Sequence, residues 1–322
     1  MAPPDAAVAH YEQQIRQAEA TLILVRRQWR RMTPDDLDRS WAQIVSRLTV
    51  LVQAGMLGAA RAGAAYVSDV LDSPSPTDSV VAAGAFAQTA SDGRPLDSLL
   101  YSAVVHAKHN IGTGALPADA LEAGGKWLDT LARTQVADAG RGATGVAIAA
   151  RPHVGYVRLV SPPCCQRCAV LAGKRFKWNQ GFQRHPKCDC RHVPCADDAD
   201  AERLSPPVRP DQVKDLTIAQ RRAINDGADM GQVINSHRAN SRSKSGLYTS
   251  EGTTRRGTFG GYERMPDGSL RRRAKGETTR RLTPEGIYRL ASSREEAVRL
   301  LHQYGYLSGD EVLAARRLRA AA

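Results

Sequence analysis

A dense group of cysteine and histidine residues lies near the middle of the 322-residue chain, where all six cysteines fall within 32 residues. They are Cys164, Cys165, Cys168, Cys188, Cys190 and Cys195, with His185 and His192 among them. The Cys165-x2-Cys168 turn can present two thiolates to one tetrahedral ion. A second half, which begins at His185 after 16 intervening residues, can supply the remaining ligands. The spacing therefore predicts a bound metal, and zinc is the metal that this donor set favours.

Five residues compete for the four positions of such a site: Cys165, Cys168, His185, Cys188 and Cys190. Cys165 and Cys168 fit best, because a two-residue spacer is standard for such turns. Cys188 and Cys190 would point the same way on a strand, whereas Cys164 and Cys195 are expected to be spare. The alternatives are a redox pair and a group of buried thiols. A catalytic zinc is less favoured, because a thiolate-rich site makes a poor Lewis acid, so we expect one structural zinc ion per chain.

Short strands are expected on both sides of the first cysteines. The alternating, β-branched stretch Val154–Val160 predicts a strand that leads directly into Cys164. Gly173 suits a hairpin tip, and Lys174–Trp178 can form the returning strand. The metal ligands are therefore expected to lie on a small α+β module.

The first part of the chain is predicted to be helical. Apolar residues three or four apart predict a helix over Val8–Trp29. Thr33-Pro34 predicts the start of a second helix that runs toward Leu71. Further helices are expected around Ser98–His109 and Ala118–Ala139, where small residues favour close packing.

Downstream of Cys195, the acidic Asp197–Glu202 and the proline-rich Ser205–Pro210 are typical of a linker. Helix starts then follow at four places: the capping box Thr217–Gln220, Asp229, Thr283-Pro284-Glu285 and the capping box Ser293–Glu296. Between them, Ser236–Arg281 is poor in apolar residues and carries 12 basic against 4 acidic groups. This stretch is predicted to be a disordered or partner-ordered arm.

The net charge of +12 lies mainly in the last two thirds of the chain. Such a field favours nucleic acid, bound through its phosphates and without sequence readout. We expect the arm to bind DNA through four residues: Arg271, Arg272, Arg273 and Lys275.

The expected fold is mainly α, with a small α+β zinc-knuckle module and a basic, partly disordered C-terminal region. The expected domains are a helical N-terminal domain over residues 1–112 and a core with the Cys/His knuckle over residues 113–196. Residues 197–322 are expected to hold the linker, a helical pair, the basic arm and C-terminal helices.

Several classes of protein are disfavoured by the sequence. The longest charge-free stretches have 13 residues each, too few to cross a bilayer, which takes about 20. The N-terminus lacks a basic segment followed by an apolar run, so secretion is not expected. Neither a P-loop nor a dinucleotide-binding pattern is present. We therefore expect a chain made in a cytoplasm, without a small-molecule substrate or a membrane partner.

The string Cys165-x2-Cys168, Gly173 and His185-Pro186-x-Cys188-x-Cys190 resembles the signature of the Mu F-like minor head proteins of bacteriophages. The segments Trp127–Ala139 and Ala219–Asn235 resemble the version found in phages of actinobacteria. The resemblance covers roughly residues 115–240, with weaker extensions at Thr253–Gly257 and Leu282–Leu307. Cys164, His192 and Cys195 are additional to the family pattern.

The resemblance implies a minor capsid protein, present in few copies, that resides in the virion at the portal vertex or in the capsid interior. It implies a role in head assembly or in DNA packaging and delivery. The implied partners are the portal protein, the major capsid or scaffold protein, and DNA. The protein is accordingly not expected to be an enzyme.

Two other functions compete with this interpretation. A capsid maturation protease, alone or fused to such a module, would need a nucleophile and a base, and the nearest set is Ser98, Ser102, His106 and His109. A DNA-binding regulator would use Ala219–Gly227 and Asp229–Asn235 as a helix-turn-helix. The second helix of that pair would be short and would offer only Gln232 and Asn235 to base edges.

Overall fold

The computed structural model describes residues 5–72, 81–180, 190–204, 208–238, 242–251, 262–264, 270–272 and 280–307. The chain is mostly helical with a small sheet content. Its contacts divide it into two compact units: a first unit of Met1–Ser161 with Ala172–Pro206, and a second unit of Pro162–Leu171 with Pro207–Ala322. The three domains expected from the sequence stay a prediction.

Four long helices form most of the first unit. They are α1 (Asp5–Trp29), α2 (Leu37–Leu71), α3 (Leu96–Gly112) and α4 (Pro117–Ala149), and α2 packs along α4 while contacting α1 and α3. Their core consists of large apolar side chains at helical spacing, among them Leu22, Ile44, Leu48, Leu100 and Leu128. Burial of these side chains is the main driving force for the bundle.

Helices α2 and α4 approach each other closely at two small residues. A Cβ atom on Gly63 would lie 2.2 Å from the carbonyl oxygen of Gly140. Thr144 Oγ1 donates to the carbonyl oxygen of Gly63 at 3.1 Å. Glycine is therefore required at position 63, in line with the close packing expected from the small residues of this region.

Two helix boundaries differ from expectation. The second helix begins after Asp36, because the Asp36 carboxylate accepts a hydrogen bond from the Arg39 backbone N–H at 2.9 Å, so Thr33 is not its N-cap. The helix expected to end near Ala139 continues to Ala149, because its buried side, including Ile148, still packs inside the unit.

By length and composition alone, α2 is apolar enough to cross a membrane, although the expectation was that no such segment exists. The sequence argument counted charge-free stretches, whereas a helix of this length can include a few charged residues. Its buried side chains, including Ile44, Leu48 and Val52, pack in the core of the helical bundle.

A three-stranded antiparallel sheet completes the first unit. The central strand β1 (Gly155–Leu159) lies between β2 (Arg175–Phe176) and β3 (Arg191–Cys195). The predicted strands before and after the first cysteines are thus present, each somewhat shorter than expected. The acidic part of the expected linker is instead helical, as α6 (Asp198–Leu204), because Asp197 accepts a hydrogen bond from the Asp200 backbone N–H.

The second unit contains short helices around its own core. They are α5 (Gln166–Leu171), α7 (Ile218–Asn225), α8 (Met230–Asn235), α9 (Pro284–Leu290) and α10 (Arg294–Gln303), with a 3-10 turn at Pro210–Gln212. The four predicted helix starts downstream of Cys195 are confirmed, since Thr217, Asp229, Thr283 and Ser293 each accept a hydrogen bond from the third residue after them. Val233, Ile287 and Leu301 lie at the centre of this core.

Parts of the basic arm carry regular structure. Strand β4 (Tyr248–Thr249) pairs with β7 (Arg281–Leu282), and β5 (Tyr262–Arg264) pairs with β6 (Leu270–Arg272). The expectation of a disordered arm is therefore wrong for these stretches. Pairing with a strand more than thirty residues away stabilises β4, and the local composition gave no sign of it.

Candidate metal centre

Cys165 and Cys168 share one tight turn at the start of α5. The backbone N–H of Cys168 donates to Cys165 Sγ at 3.4 Å, and the backbone N–H of Ala169 donates to the Cys165 carbonyl oxygen at 3.0 Å. Cys168 is buried and Cys165 is partly exposed. A hydrogen bond to sulfur favours the thiolate form, and the thiolate is the form that binds metal. The donor chemistry of this turn therefore fits a metal knuckle.

The turn is fixed by a segment far along the chain. The Cys164 backbone N–H donates to the Gln212 carbonyl oxygen at 3.0 Å, and the Lys214 N–H donates to the Cys164 carbonyl oxygen at 2.8 Å. The side-chain amide of Gln166 donates to the Asp215 carbonyl oxygen at 2.6 Å. The residues on both sides of Cys165 are thus held before any ion binds.

Cys190 lies in the first unit, directly before β3, and is buried. Its neighbour Arg191 stacks over the Tyr11 ring at 3.4 Å, donates to the Ala7 carbonyl oxygen at 3.5 Å and donates to the Ser161 hydroxyl. These contacts fix the chain just after Cys190 to the first helix.

The remaining expected ligands, His185 and Cys188, lie outside the described residues. In the part of the chain that the structure describes, no group of three or more His, Cys, Asp or Glu side chains is arranged to hold a metal ion. The structure therefore brings together Cys165 and Cys168 of the five expected ligands, and the complete set stays a prediction.

The two cysteines expected to be spare are buried. Burial raises the pKa of the Cys195 thiol to about 11, and burial also raises the pKa of Cys164. Both side chains therefore favour the neutral thiol near pH 7, which is the form that does not bind metal. Their expected role as bystanders stays a prediction that agrees with this environment.

The residues weighed for a protease are engaged with a tryptophan. Trp127 Nε1 donates to Ser102 Oγ at 3.2 Å, and the His106 ring stacks on the Trp127 ring with centroids 5.4 Å apart. Ser98 and His109 lie at exposed positions of α3. A catalytic pair needs the base within hydrogen-bond reach of the nucleophile, and the contacts of Ser102 and His106 with Trp127 give these two residues a packing role instead.

The helix-turn-helix residues are also engaged elsewhere. Gln232 Oε1 accepts a hydrogen bond from the Arg281 guanidinium at 3.1 Å, and Arg281 is fully buried against the Tyr306 ring. Helix α8 has six residues, about one and a half turns. These contacts make the pair α7 and α8 part of the core of the second unit, so a DNA-reading role for it has little support.

A polar cluster that the sequence argument missed joins three elements of the second unit. Glu285 accepts hydrogen bonds from Thr217 Oγ1 at 2.6 Å and pairs with His237 Nε2 at 2.5 Å. Burial raises the pKa of Glu285, but the hydrogen bonds from His237 and Thr217 outweigh it, so that the pKa is lowered overall. Thr217 and Glu285 were visible only as helix-start residues, and no local signal pointed to His237.

Of the four basic residues expected to bind DNA, Arg271 and Arg272 lie on β6, opposite Glu263 and Tyr262 in the register with β5. Arg273 and Lys275 lie outside the described residues.

Comparisons with known proteins give no match. No protein-family model matches the chain, and neither the curated proteins nor the solved structures include a significant relative. The resemblance to the minor head proteins therefore depends on the cysteine and histidine spacing alone.

Proposed function

We propose that this chain is a bacteriophage minor capsid protein, associated with the portal vertex, that acts in head assembly or in DNA packaging and delivery. The observation that carries the proposal is the string from Cys165 to Cys190, with its His-Pro-x-Cys-x-Cys second half. The hydrogen bond from the Cys168 N–H to Cys165 Sγ supports the knuckle part of that string.

The most direct test is the location of the protein in virions. Cross-linking with mass spectrometry of intact virions should find the chain in few copies, linked to the portal protein. Cryo-electron microscopy of the same virions should place it at one vertex. Purified, infectious virions that lack the chain would contradict the proposal, and so would equal distribution over all vertices.

The proposal includes a structural zinc ion, held by four of Cys165, Cys168, His185, Cys188 and Cys190. When bound, zinc would supply folding free energy and no reaction step, because a thiolate-rich structural site has no open position. The chain itself supplies the fixed turn and the hydrogen-bonded thiolate of Cys165.

Elemental analysis of purified protein should give about one zinc per chain. Cys165→Ser and Cys168→Ser should each lose the metal, whereas the buried bystander variant Cys195→Ser should keep it. Separate His185→Ala and Cys188→Ala variants would identify the remaining ligands. Metal-free protein with an unchanged fold would contradict the zinc part of the proposal.

The alternative function as a capsid maturation protease has a simple test of its own. Incubation with unprocessed major capsid or scaffold protein should leave those chains intact. Specific cleavage that is lost on replacement of Ser98, Ser102, His106 or His109 would overturn the assignment as a non-enzyme.

The proposal also includes DNA binding without sequence preference, through the basic arm at Arg271, Arg272, Arg273 and Lys275. The second unit, which contains the arm, carries 23 basic against 13 acidic residues, whereas the first unit carries 22 against 20. Nearly all of the net positive charge therefore belongs to the second unit. Phosphate neutralisation is the main attraction that such a surface offers.

A further inference from the structure

A short turn in the basic arm is folded. The backbone N–H of Ser243 donates to the Tyr248 carbonyl oxygen at 2.8 Å, and that of Gly246 donates to the Ser243 carbonyl oxygen at 2.9 Å. Ser243 Oγ accepts from the Tyr248 N–H at 3.2 Å. Gly246 has a φ of +73°, a conformation that favours glycine. The turn therefore presents its side chains from a defined backbone.

Basic side chains project from this turn and from the strand edge beside it. Arg242 and Lys244 are exposed on the turn, and Arg280 is exposed directly before β7. Arg242 pairs with Thr249, and Thr249 pairs with Arg281, so Arg242 and Arg280 lie about two strand spacings apart, roughly 10 Å. We call Arg242, Lys244, Tyr248 and Arg280 the basic turn.

Other features of the basic turn suit a polyanion. The Tyr248 ring is 38% exposed and lies between the basic groups in sequence. The nearby carboxylate of Glu251 is bound by Arg238 at 3.3 Å, so its charge is offset by a different arginine. Serine and glycine make up much of the turn, which leaves little apolar area for a protein partner to bury.

We propose that the basic turn is a folded phosphate-binding surface of this protein and that its ligand is the backbone of duplex DNA. This inference rests on the DNA-binding part of the proposed function and assigns to it residues that the sequence argument did not single out. Three fixed positive groups match the repeated charges of a phosphodiester backbone, and the exposed tyrosine adds a sugar or base contact. Because no group here reads base edges in a groove, binding is independent of sequence.

The test uses the full chain with Arg242, Lys244 and Arg280 all replaced by Ala. Fluorescence anisotropy would measure its affinity for two unrelated duplexes of equal length between 50 and 200 mM salt. The slope of log affinity against log salt should become shallower by about 2 to 3, since each phosphate contact contributes about 0.9. The loss should be the same for both duplexes.

A matched control removes the same charge from the first unit. Arg27, Arg30 and Arg47 are exposed on α1 and α2, and the control variant replaces all three by Ala. Far-UV circular dichroism checks the fold of each variant. A charge-retaining variant, Arg242→Lys with Arg280→Lys, should keep the affinity within about threefold, which separates lost charge from a damaged turn.

The outcomes distinguish the two proposals. If the wild-type chain shows no salt-dependent DNA binding, the DNA part of the proposed function is overturned and the basic turn with it. If the wild-type chain binds DNA but the two triple variants lose affinity equally, only net charge matters and the basic turn is overturned alone. If polyglutamate displaces the DNA at equal charge concentration, the surface recognises acidic polypeptide and the assignment to DNA is wrong.

Discussion

Gln166 is the side chain that joins the cysteine turn to a segment 49 residues further along the chain. It lies between Cys165 and Cys168, and its amide donates to the Asp215 carbonyl oxygen. Replacing the groups that orient a metal ligand typically weakens metal binding by about 10- to 100-fold. Gln166 touches no expected ligand atom itself, so its role is to position the turn.

If zinc binds as proposed, Gln166→Ala should weaken zinc affinity by about tenfold without changing the stoichiometry of one ion per chain. The turn would then have to order itself at the expense of binding free energy. Competition with a chromophoric chelator measures the affinity. Gln13→Ala, at an exposed position of α1, is the matched control and should bind zinc like the wild type. Unchanged affinity in Gln166→Ala would show that the anchor is irrelevant to the site.

His10 shows how a buried histidine sets a pH dependence. Its ring stacks on the Tyr66 ring with centroids 4.1 Å apart. Burial first, and then the positive charge of Arg191, lower the pKa of His10 from 6.5 to about 4. The folded state therefore favours the neutral ring. Above the unfolded pKa the ring is neutral in both states, and as the pH falls toward 4 the unfolded chain binds the proton first, which destabilises the fold.

Between pH 7 and pH 4.5, His10→Gln should lose less free energy of unfolding than the wild type, by about 2 kcal/mol. Urea unfolding followed by circular dichroism at both pH values gives the difference. Carboxylates that titrate in the same range affect both proteins alike, so they cancel in the comparison. Parallel pH curves for the two proteins would rule out a protonation penalty at His10.

At the scale of single residues, the sequence identified what depends on spacing and missed what depends on tertiary contact. The Cys165 and Cys168 pair was predicted, and the structure places both in one turn. The anchors at Gln212 and Asp215, and the pairing of His237 with Glu285, join residues about 50 positions apart. No periodicity or motif records such contacts.

At the scale of elements, the local signals were accurate wherever the cap itself is local. Thr217, Asp229 and Ser293 each bond to a backbone N–H three residues on, and each marks the helix start predicted for it. Helix α2 shows the limit, because Thr33 and Asp36 are both good capping residues and the geometry selected Asp36. The short strands of the arm were missed because isolated pairs of this length have almost no intrinsic stability.

The packing of α2 on α4 gives a prediction for a single methyl group. In Gly63→Ala, the new Cβ would meet the Gly140 carbonyl oxygen at 2.2 Å, and a backbone atom of a packed helix cannot move aside cheaply. Overpacking of this kind costs about 1 to 3 kcal/mol, partly offset by up to about 1 kcal/mol of helix propensity. We therefore expect a net loss of about 1 to 2 kcal/mol in urea unfolding.

Gly145→Ala on α4 is the control, because a Cβ there meets nothing within 4 Å. It gains the helix propensity without a clash, so it should stabilise the chain by about 0.5 to 1 kcal/mol. Equal effects of the two substitutions would mean that the helices do not approach each other as closely as the structure shows.

At the scale of the whole molecule, the uneven charge is the feature that composition alone revealed. Both units are of similar size in basic residues, but only the second lacks the acids that would neutralise them. A field of this kind acts over about a Debye length, roughly 10 Å at 0.1 M salt, and needs no particular fold. This is why the class of partner could be inferred from the sequence, whereas the folded basic turn could not.

The arm and its charge lead to the last prediction. Replacing Arg271, Arg272, Arg273 and Lys275 by Ala should make the salt dependence of DNA binding shallower, because each lost phosphate contact lowers the slope by about 0.9. The wild-type affinity should fall on the order of tenfold or more between 50 and 200 mM salt, and anisotropy with duplexes of unrelated sequence should give equal affinities. A strong preference for one sequence, or binding that ignores salt, would point instead to a folded reader at Ala219–Asn235. Such a reader would have to release Gln232 from Arg281 to reach a base.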